Sequence, residues 1–193
     1  MLSLFILGVI SILVWYSIMV FNQLMKLKCQ LQWAFTAVDA TLQHRYQQIQ
    51  IWLENSKADL VDQRDTIDAL LQLRMTAAGQ LKVAAYNPSD CAAMQQLAIT
   101  ESTLQSALET FSCALSTSAR LALTPLWHEL KKVEQQLSLA RHSFNHSVHR
   151  YNSYKQSFPA LLLSDFFGHQ DNACLLEWVH RASLDSQFRQ GGR

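Results

Sequence analysis

His142, His146 and His149 stand at i, i+4 and i+7, on one face of any helix that contains them, and two imidazoles at i, i+4 can chelate Zn²⁺. Arg141 and Arg150 flank the same face, and no Glu or Cys sits beside the trio in sequence, although Cys113 could approach it through a bundle. A solvated polar face is the plainer reading. Asn145 and Asn152 are seven apart, and each follows an aromatic residue, Phe144 and Tyr151. With Asp39 and Arg45 they could form a cross-helix polar network that fixes register or makes an assembly contact. The alternative is that Asn22, Asn145 and Asn152 satisfy half-buried backbone groups and pin helix pairing. Trp33, Phe35, Trp52 and Trp127 could line a cofactor, but at helical spacing they read as core or oligomer contacts. No catalytic triad, paired-acid cleft or Gly-rich phosphate loop is visible. The expectation is a protein without enzymatic activity or cofactor, with the histidine trio as its only metal candidate.

The elements that carry these residues begin with an uncharged run. Met1 to Phe21 is close to the ~20 apolar residues a helix needs to cross ~30 Å of hydrocarbon. It lacks the basic start, the short apolar region and the small-residue site of a cleaved signal, so an uncleaved anchor is expected. Trp15 and Tyr16 would pack near one membrane interface. Lys26 and Lys28 follow the run, which places the N-terminus outside and the rest in the cytoplasm by positive-inside counting. Cys29, Cys91, Cys113 and Cys174 form no C-x-x-C pair, and free thiols in a reducing compartment are expected. Sixteen basic against fifteen acidic residues leave no electrostatic footprint for nucleic acid.

Past the anchor, five Gly and three Pro suit long helices. Leu24, Leu27, Leu31, Ala34, Val38, Leu42, Ile49 and Trp52 keep a heptad-like rhythm that predicts a first helix to about Leu53. Ser56 to Asp59 offers a weak capping signal. Leu60, Ile67, Leu70, Leu71, Ala78, Leu81 and Ala85 continue at helical spacing to Tyr86. Pro88 breaks the chain, Ser89 or Asp90 can cap the next helix, and Met94, Leu97, Leu104, Leu108, Phe111 and Leu115 make its seam. Thr124 then reads as an N-cap with Pro125 at the first helical position. Leu130, Leu137, Phe144, Tyr151 and Phe158 stand seven apart, with Val133, Ala140 and Tyr154 between, up to Pro159. Short links between long helices predict an all-α, antiparallel up-and-down bundle continuing from a transmembrane helix. The division is an anchor at 1–23, a bundle at 24–159 and a tail at 160–193, apolar then polar. Residues 160–168 are expected to pack on the bundle, the rival being the membrane surface, and the last dozen residues to fray.

Two blocks of this chain resemble the LemA family. Phe21-Asn22-x-Leu24-Met25-x-Leu27 is similar to its Y-N-x-L-V-x-L, and Ala34 to Arg45 to its A-W-x-x-I-D-V-x-L-x-R-R. Ala140-Arg141, Phe144-Asn145, Val148 and Tyr151-Asn152 follow its A-R-x-x-Y-N-x-x-V-x-x-Y-N, and Phe158-Pro159, Leu162, Phe167 and Gly168 its F-P-x-x-L…F-G. Phe35 replaces the usual Trp, His44 the first Arg of the pair, and Gln48 to Leu53 lacks the family's proline. The resemblance implies an N-terminal transmembrane helix, a long-helix bundle and a role in the bacterial envelope, with no agreed enzymatic activity.

The function expected is a single-span inner-membrane scaffold that touches lipid, forms homo-oligomers and meets other membrane proteins. Its motif residues, as packing or assembly contacts, are Phe21, Asn22, Trp33, Phe35, Asp39, Arg45, Phe144, Asn145, Tyr151, Asn152, Phe158 and Pro159. The alternatives are a monomeric adaptor for a membrane protease or other envelope factor, and a histidine metal-binding protein.

Overall fold

Along the first helix, buried positions recur at 20, 24, 27, 31, 35, 38, 42, 45, 49, 52 and 56, a mean step of ~3.6 residues. A stripe with that period follows a straight α-helix without drifting off its partner. In the computed structural model this helix, α1, runs Leu2–Asp59, ~87 Å at 1.5 Å per residue. It is followed by α2 (Arg64–Tyr86), α3 (Cys91–Ala114), α4 (Thr117–Gln156) and a short α5 (Ala160–Ser164). The described residues are 2–59, 63–115, 117–158, 160–164 and 172–177, and no strand occurs among them.

The packing is α1 on α4 along most of its bundle length, α1 on α2, and α2 on α3. Ring pairs set the directions. Phe35 meets Phe144 edge-on at 5.4 Å, and Trp52 meets Trp127 at 5.5 Å. Rising along α1 is falling along α4, by the same step, so the two are antiparallel. Trp52 also meets Phe111 of α3 at 5.4 Å, and Tyr46 meets Glu101 of the same helix, so α1 and α3 run the same way. The all-α, up-and-down bundle expected from the sequence is present.

Local chemistry explains the joints. Asp90 caps α3, its carboxylate accepting from the backbone N–H of Ala92 at 2.9 Å and Ala93 at 3.4 Å. The first joint lies between Asp59 and Gln63, and a Lys57–Asp68 ion pair at 2.6 Å ties its two sides.

Before Val20 the character of α1 changes. Large apolar residues from Leu4 to Met19 are all exposed, whereas Val20 begins the core. Leu2 to Met19 spans ~27 Å of helix beyond the bundle. The segment is long and apolar enough to cross a membrane.

Four expectations are corrected. Helix α1 does not stop near Leu53 but runs to Asp59, because Leu53 and Ser56 are still buried and the Ser56 hydroxyl donates to the Trp52 carbonyl at 2.8 Å. Thr124 and Pro125 do not start a helix: α4 begins at Thr117, with Pro125 inside it. A proline there removes one backbone bond at a cost of ~3 kcal/mol, offset by burial of Leu123 before it and Leu130 after it. Phe158 is not a seam residue. Helix α4 ends at Gln156, so Phe158 falls in the turn and is 83% exposed.

The fourth concerns the cysteines. Cys91 and Cys174 form a disulfide, with Cα atoms 5.0 Å apart, so the four thiols are not all free. Cys91 opens α3, and residues 172–177 lie along α4, which brings Cys174 to it. Cys29 and Cys113 lie outside that bridge. In the tail, Ala160, Ala173 and Leu176 are buried while Leu161 and Leu162 are exposed. Leu60, Pro159, Phe166, Phe167, Gly168, Trp178 and the final dozen residues lie outside the described residues.

Candidate functional site

Two polar arrangements interrupt this apolar bundle. The first is built on seam positions that carry charge. On α1, Arg45 and Tyr46 fall between Leu42 and Ile49; on α3, Glu101 falls between Leu97 and Leu104. All keep the core rhythm and are buried, Arg45 at 3% and Glu101 at 2% exposure. Arg45 donates through one guanidinium nitrogen to Glu101 Oε2 at 2.6 Å and through the other to Gln105 Oε1 at 2.6 Å. The second nitrogen also lies 3.8 Å from Glu134 of α4. The Tyr46 hydroxyl donates to Glu101 Oε1.

Burial pushes the Glu101 carboxyl above the usual carboxylate range, against the pull of Arg45 and the Tyr46 hydrogen bond. Burial raises Glu134 as well, with Arg45 again opposing it. Tyr46 is pushed above its ordinary value by burial and by the neighbouring Glu101 charge, so its hydroxyl stays a donor. A cavity of about 170 Å³ adjoins the cluster, lined by Arg45, Glu101, Gln105, Glu134, Ser138 and Arg141 among others. At ~30 Å³ per molecule it has room for a few waters among polar partners. The cluster joins α1, α3 and α4 at one level. A one-turn slip of any of them would strand a buried charge, so the arrangement fixes register.

The second arrangement is a ladder on α4. Asn152 donates to the Ala173 carbonyl at 2.8 Å, and its oxygen accepts the Ala173 N–H at 3.0 Å. Asn145 does the same with Leu176, donating at 3.2 Å and accepting at 2.8 Å. Each side-chain amide thus pairs with one residue's backbone as a neighbouring strand would. The spacing is matched: seven residues of helix rise ~10.5 Å, and three residues of extended chain cover ~10 Å. Lys155 adds a bond from Nζ to Asn172 Oδ1 at 3.2 Å. Ala173 and Leu176 fill the core beneath, and Cys174 carries the disulfide to Cys91.

The remaining sequence candidates fall into place around these. Phe35, Phe144 and Tyr151 are core residues, Phe35 at 2% exposure, while Trp33 two places earlier is 73% exposed. Phe21 and Asn22 lie on the exposed side of α1 where the bundle begins. Asp39 accepts from Gln43 Nε2 on its own helix at 3.0 Å and does not reach α4. Of the residues expected to link the first and last helices, Arg45 reaches α4, at Glu134. The asparagines turn to the tail rather than to α1. His142, His146 and His149 are exposed, and among the described residues no group of three His, Cys, Asp or Glu converges on a metal-sized site. The four aromatic residues do not come together: Trp52 and Trp127 meet at a tilt of 42° and line a cavity of about 350 Å³ with Leu115 and Leu123, Lys131 lying over the Trp127 ring at 5.9 Å, whereas Phe35 packs on Phe144 and Trp33 is exposed.

Sequence reasoning missed Glu101, Tyr46, Lys155 and the Cys91–Cys174 pair. Glu101 had a signal, a charge standing where the heptad rhythm of α3 calls for an apolar residue, whereas Tyr46 and Lys155 sit one place beyond a seam position. The disulfide had no signal, since its partners are 83 residues apart.

Comparison with known proteins gives one positive finding. The model of the LemA family matches residues 34–182. No curated protein and no solved structure matches.

Proposed function

The chain belongs to the LemA family, and from that premise we propose that it is a non-enzymatic, inner-membrane scaffold whose bundles assemble side by side. Residues 1–23 form the anchor in this reading, the exposed apolar side chains from Leu4 to Met19 meeting lipid. The observation that carries self-assembly is the contrast between Trp33 and Phe35. Phe35 points into the bundle, while Trp33 stands 73% exposed on the outer face of α1. Met25, Cys29 and Ala40 share that face, all exposed and opposite the core seam. An indole on such a stripe is the kind of anchor that helix interfaces bury. A common membrane supports the reading further, because it confines copies to a plane and raises their effective concentration.

Lys26 and Lys28 support a cytoplasmic bundle with the N-terminus outside. The Cys91–Cys174 bridge pulls the other way, since disulfides persist in oxidising compartments. On the cytoplasmic side the pair would stand reduced, and Asn145, Asn152 and the burial of Leu176 would hold the tail. Labelling Cys29 in intact cells with a membrane-impermeant maleimide tests the side: protection that is lost when the membrane is permeabilised supports the cytoplasmic placement, and ready labelling in intact cells reverses it.

Assembly is tested by particle size in mild detergent. The scaffold reading expects an assembly that Trp33→Ala reduces in size without unfolding the bundle. A monomer in both cases would turn the search to a single heterologous partner.

A further inference from the structure

We propose that the groove edged by Asn145, Asn152 and Cys91 is a docking site for residues 172–177 of a second copy of this chain, so that bundles exchange tails. The inference rests on the self-assembly reading and gives it a second contact, distinct from the Trp33 face. The occupant is known because the chain's own segment fills the groove. Its recognition is portable: four backbone hydrogen bonds to two asparagines, Ala173 and Leu176 seated in the core, and a lysine on Asn172.

The same segment from a neighbour would make the same bonds, as in any exchange of identical elements between protomers. Eight residue steps separate Ser164, the end of α5, from Asn172, a reach of up to ~28 Å for extended chain. That exceeds the ~20–24 Å width of a bundle two helices across, so the length of chain suffices to reach a bundle packed beside its own. Confinement in the membrane raises the effective concentration of the neighbour's tail, which then competes with the tethered one.

Two tagged versions of the full chain, both carrying Cys29→Ser and Cys113→Ser, test the exchange when produced together. One adds Cys91→Ser and keeps Cys174; the other adds Cys174→Ser and keeps Cys91. Copper phenanthroline with dioxygen then oxidises neighbouring thiols in the membrane. Each linked pair of thiols gives up two protons and two electrons to the oxygen as the S–S bond forms. The expected result is a covalent species carrying both tags, with a Cys91–Cys174 peptide in its digest.

Asn152→Leu in the copy that keeps Cys91 should cut that yield by about tenfold, whereas the same change in the copy that keeps Cys174 should not lower it and should raise it, because that copy's tail is released from its own groove. A general folding defect would lower both, so the asymmetry identifies the groove. If the chain with both Cys91 and Cys174 forms its internal bridge under the same oxidation while the mixed copies give no Cys91–Cys174 link, exchange is overturned. Particles of undiminished size in that case leave assembly through the Trp33 face standing.

Discussion

Asn152 on α4 and Ala173 in the tail exchange two hydrogen bonds, the side-chain amide donating at 2.8 Å and accepting at 3.0 Å. The pairing copies the bond pattern between two strands, with one side chain in place of a backbone. Seven residues toward the start of the same helix, Asn145 repeats it with Leu176. Two asparagines that follow seam aromatics thereby convert the edge of a helix into a surface for extended chain.

Asn152→Leu should release that segment. The backbone groups of Ala173 lose their partners, at about 1–3 kcal/mol if they stay buried, so the segment leaves instead. Hydrogen exchange under reducing conditions is the measurement: the Ala173 and Leu176 amides should lose protection while α1 and α4 keep theirs.

Reduction of the Cys91–Cys174 bridge should lower stability in the isolated, oxidised protein. A loop of 83 residues corresponds to about 4–5 kcal/mol of chain entropy in the unfolded state. The thermal midpoint should fall by about 10 °C with dithiothreitol, and Cys174→Ser should show the lower midpoint without it. An unchanged midpoint would mean that the bridge constrains little.

The charge cluster makes a prediction by single and double replacement. Arg45→Leu leaves Glu101 buried without its cation and should cost about 3–5 kcal/mol in urea unfolding. Arg45→Leu combined with Glu101→Leu removes both charges and should recover much of that loss. Additive losses would show that the two side chains do not act as a pair.

The pH dependence has a definite sign. Glu101 and Glu134 bind their protons more tightly folded than unfolded, because burial raises both above the ordinary 4.5. Between the unfolded and folded values the folded state therefore holds more protons, and stability falls as pH rises through that window. Below the unfolded value the contribution is fully present. Urea midpoints should decline on going up from pH 4.5, and Glu101→Gln should flatten the decline. A midpoint that rises across the same interval would contradict the assignment. Tyr46 acts in the same sense above its ordinary value of 10.0.

The bundle was legible because its rhythm is strict. Met94, Leu97, Leu104, Leu108, Phe111 and Leu115 are all buried as their spacing requires. The errors fall where local signals compete with packing. Thr124-Pro125 carries the chemistry of a helix start, yet the buried leucines on either side hold the helix through it. Phe158 kept the heptad step after the helix itself had ended. The site was less legible. Arg45 and the two asparagines were singled out, but not their partners, since nothing in the sequence shows that residues 172–177 lie along α4. Glu101 was the readable omission, a charge at a seam position between two leucines.

The most direct test of the scaffold account is the size of the full-length protein extracted in mild detergent, measured by light scattering for the unaltered chain and for Trp33→Ala. The account predicts an assembly of several copies for the former and a smaller particle for the latter, with helicity and thermal midpoint the same in both. A monomer in both, or an assembly indifferent to the loss of the Trp33 indole, would contradict it.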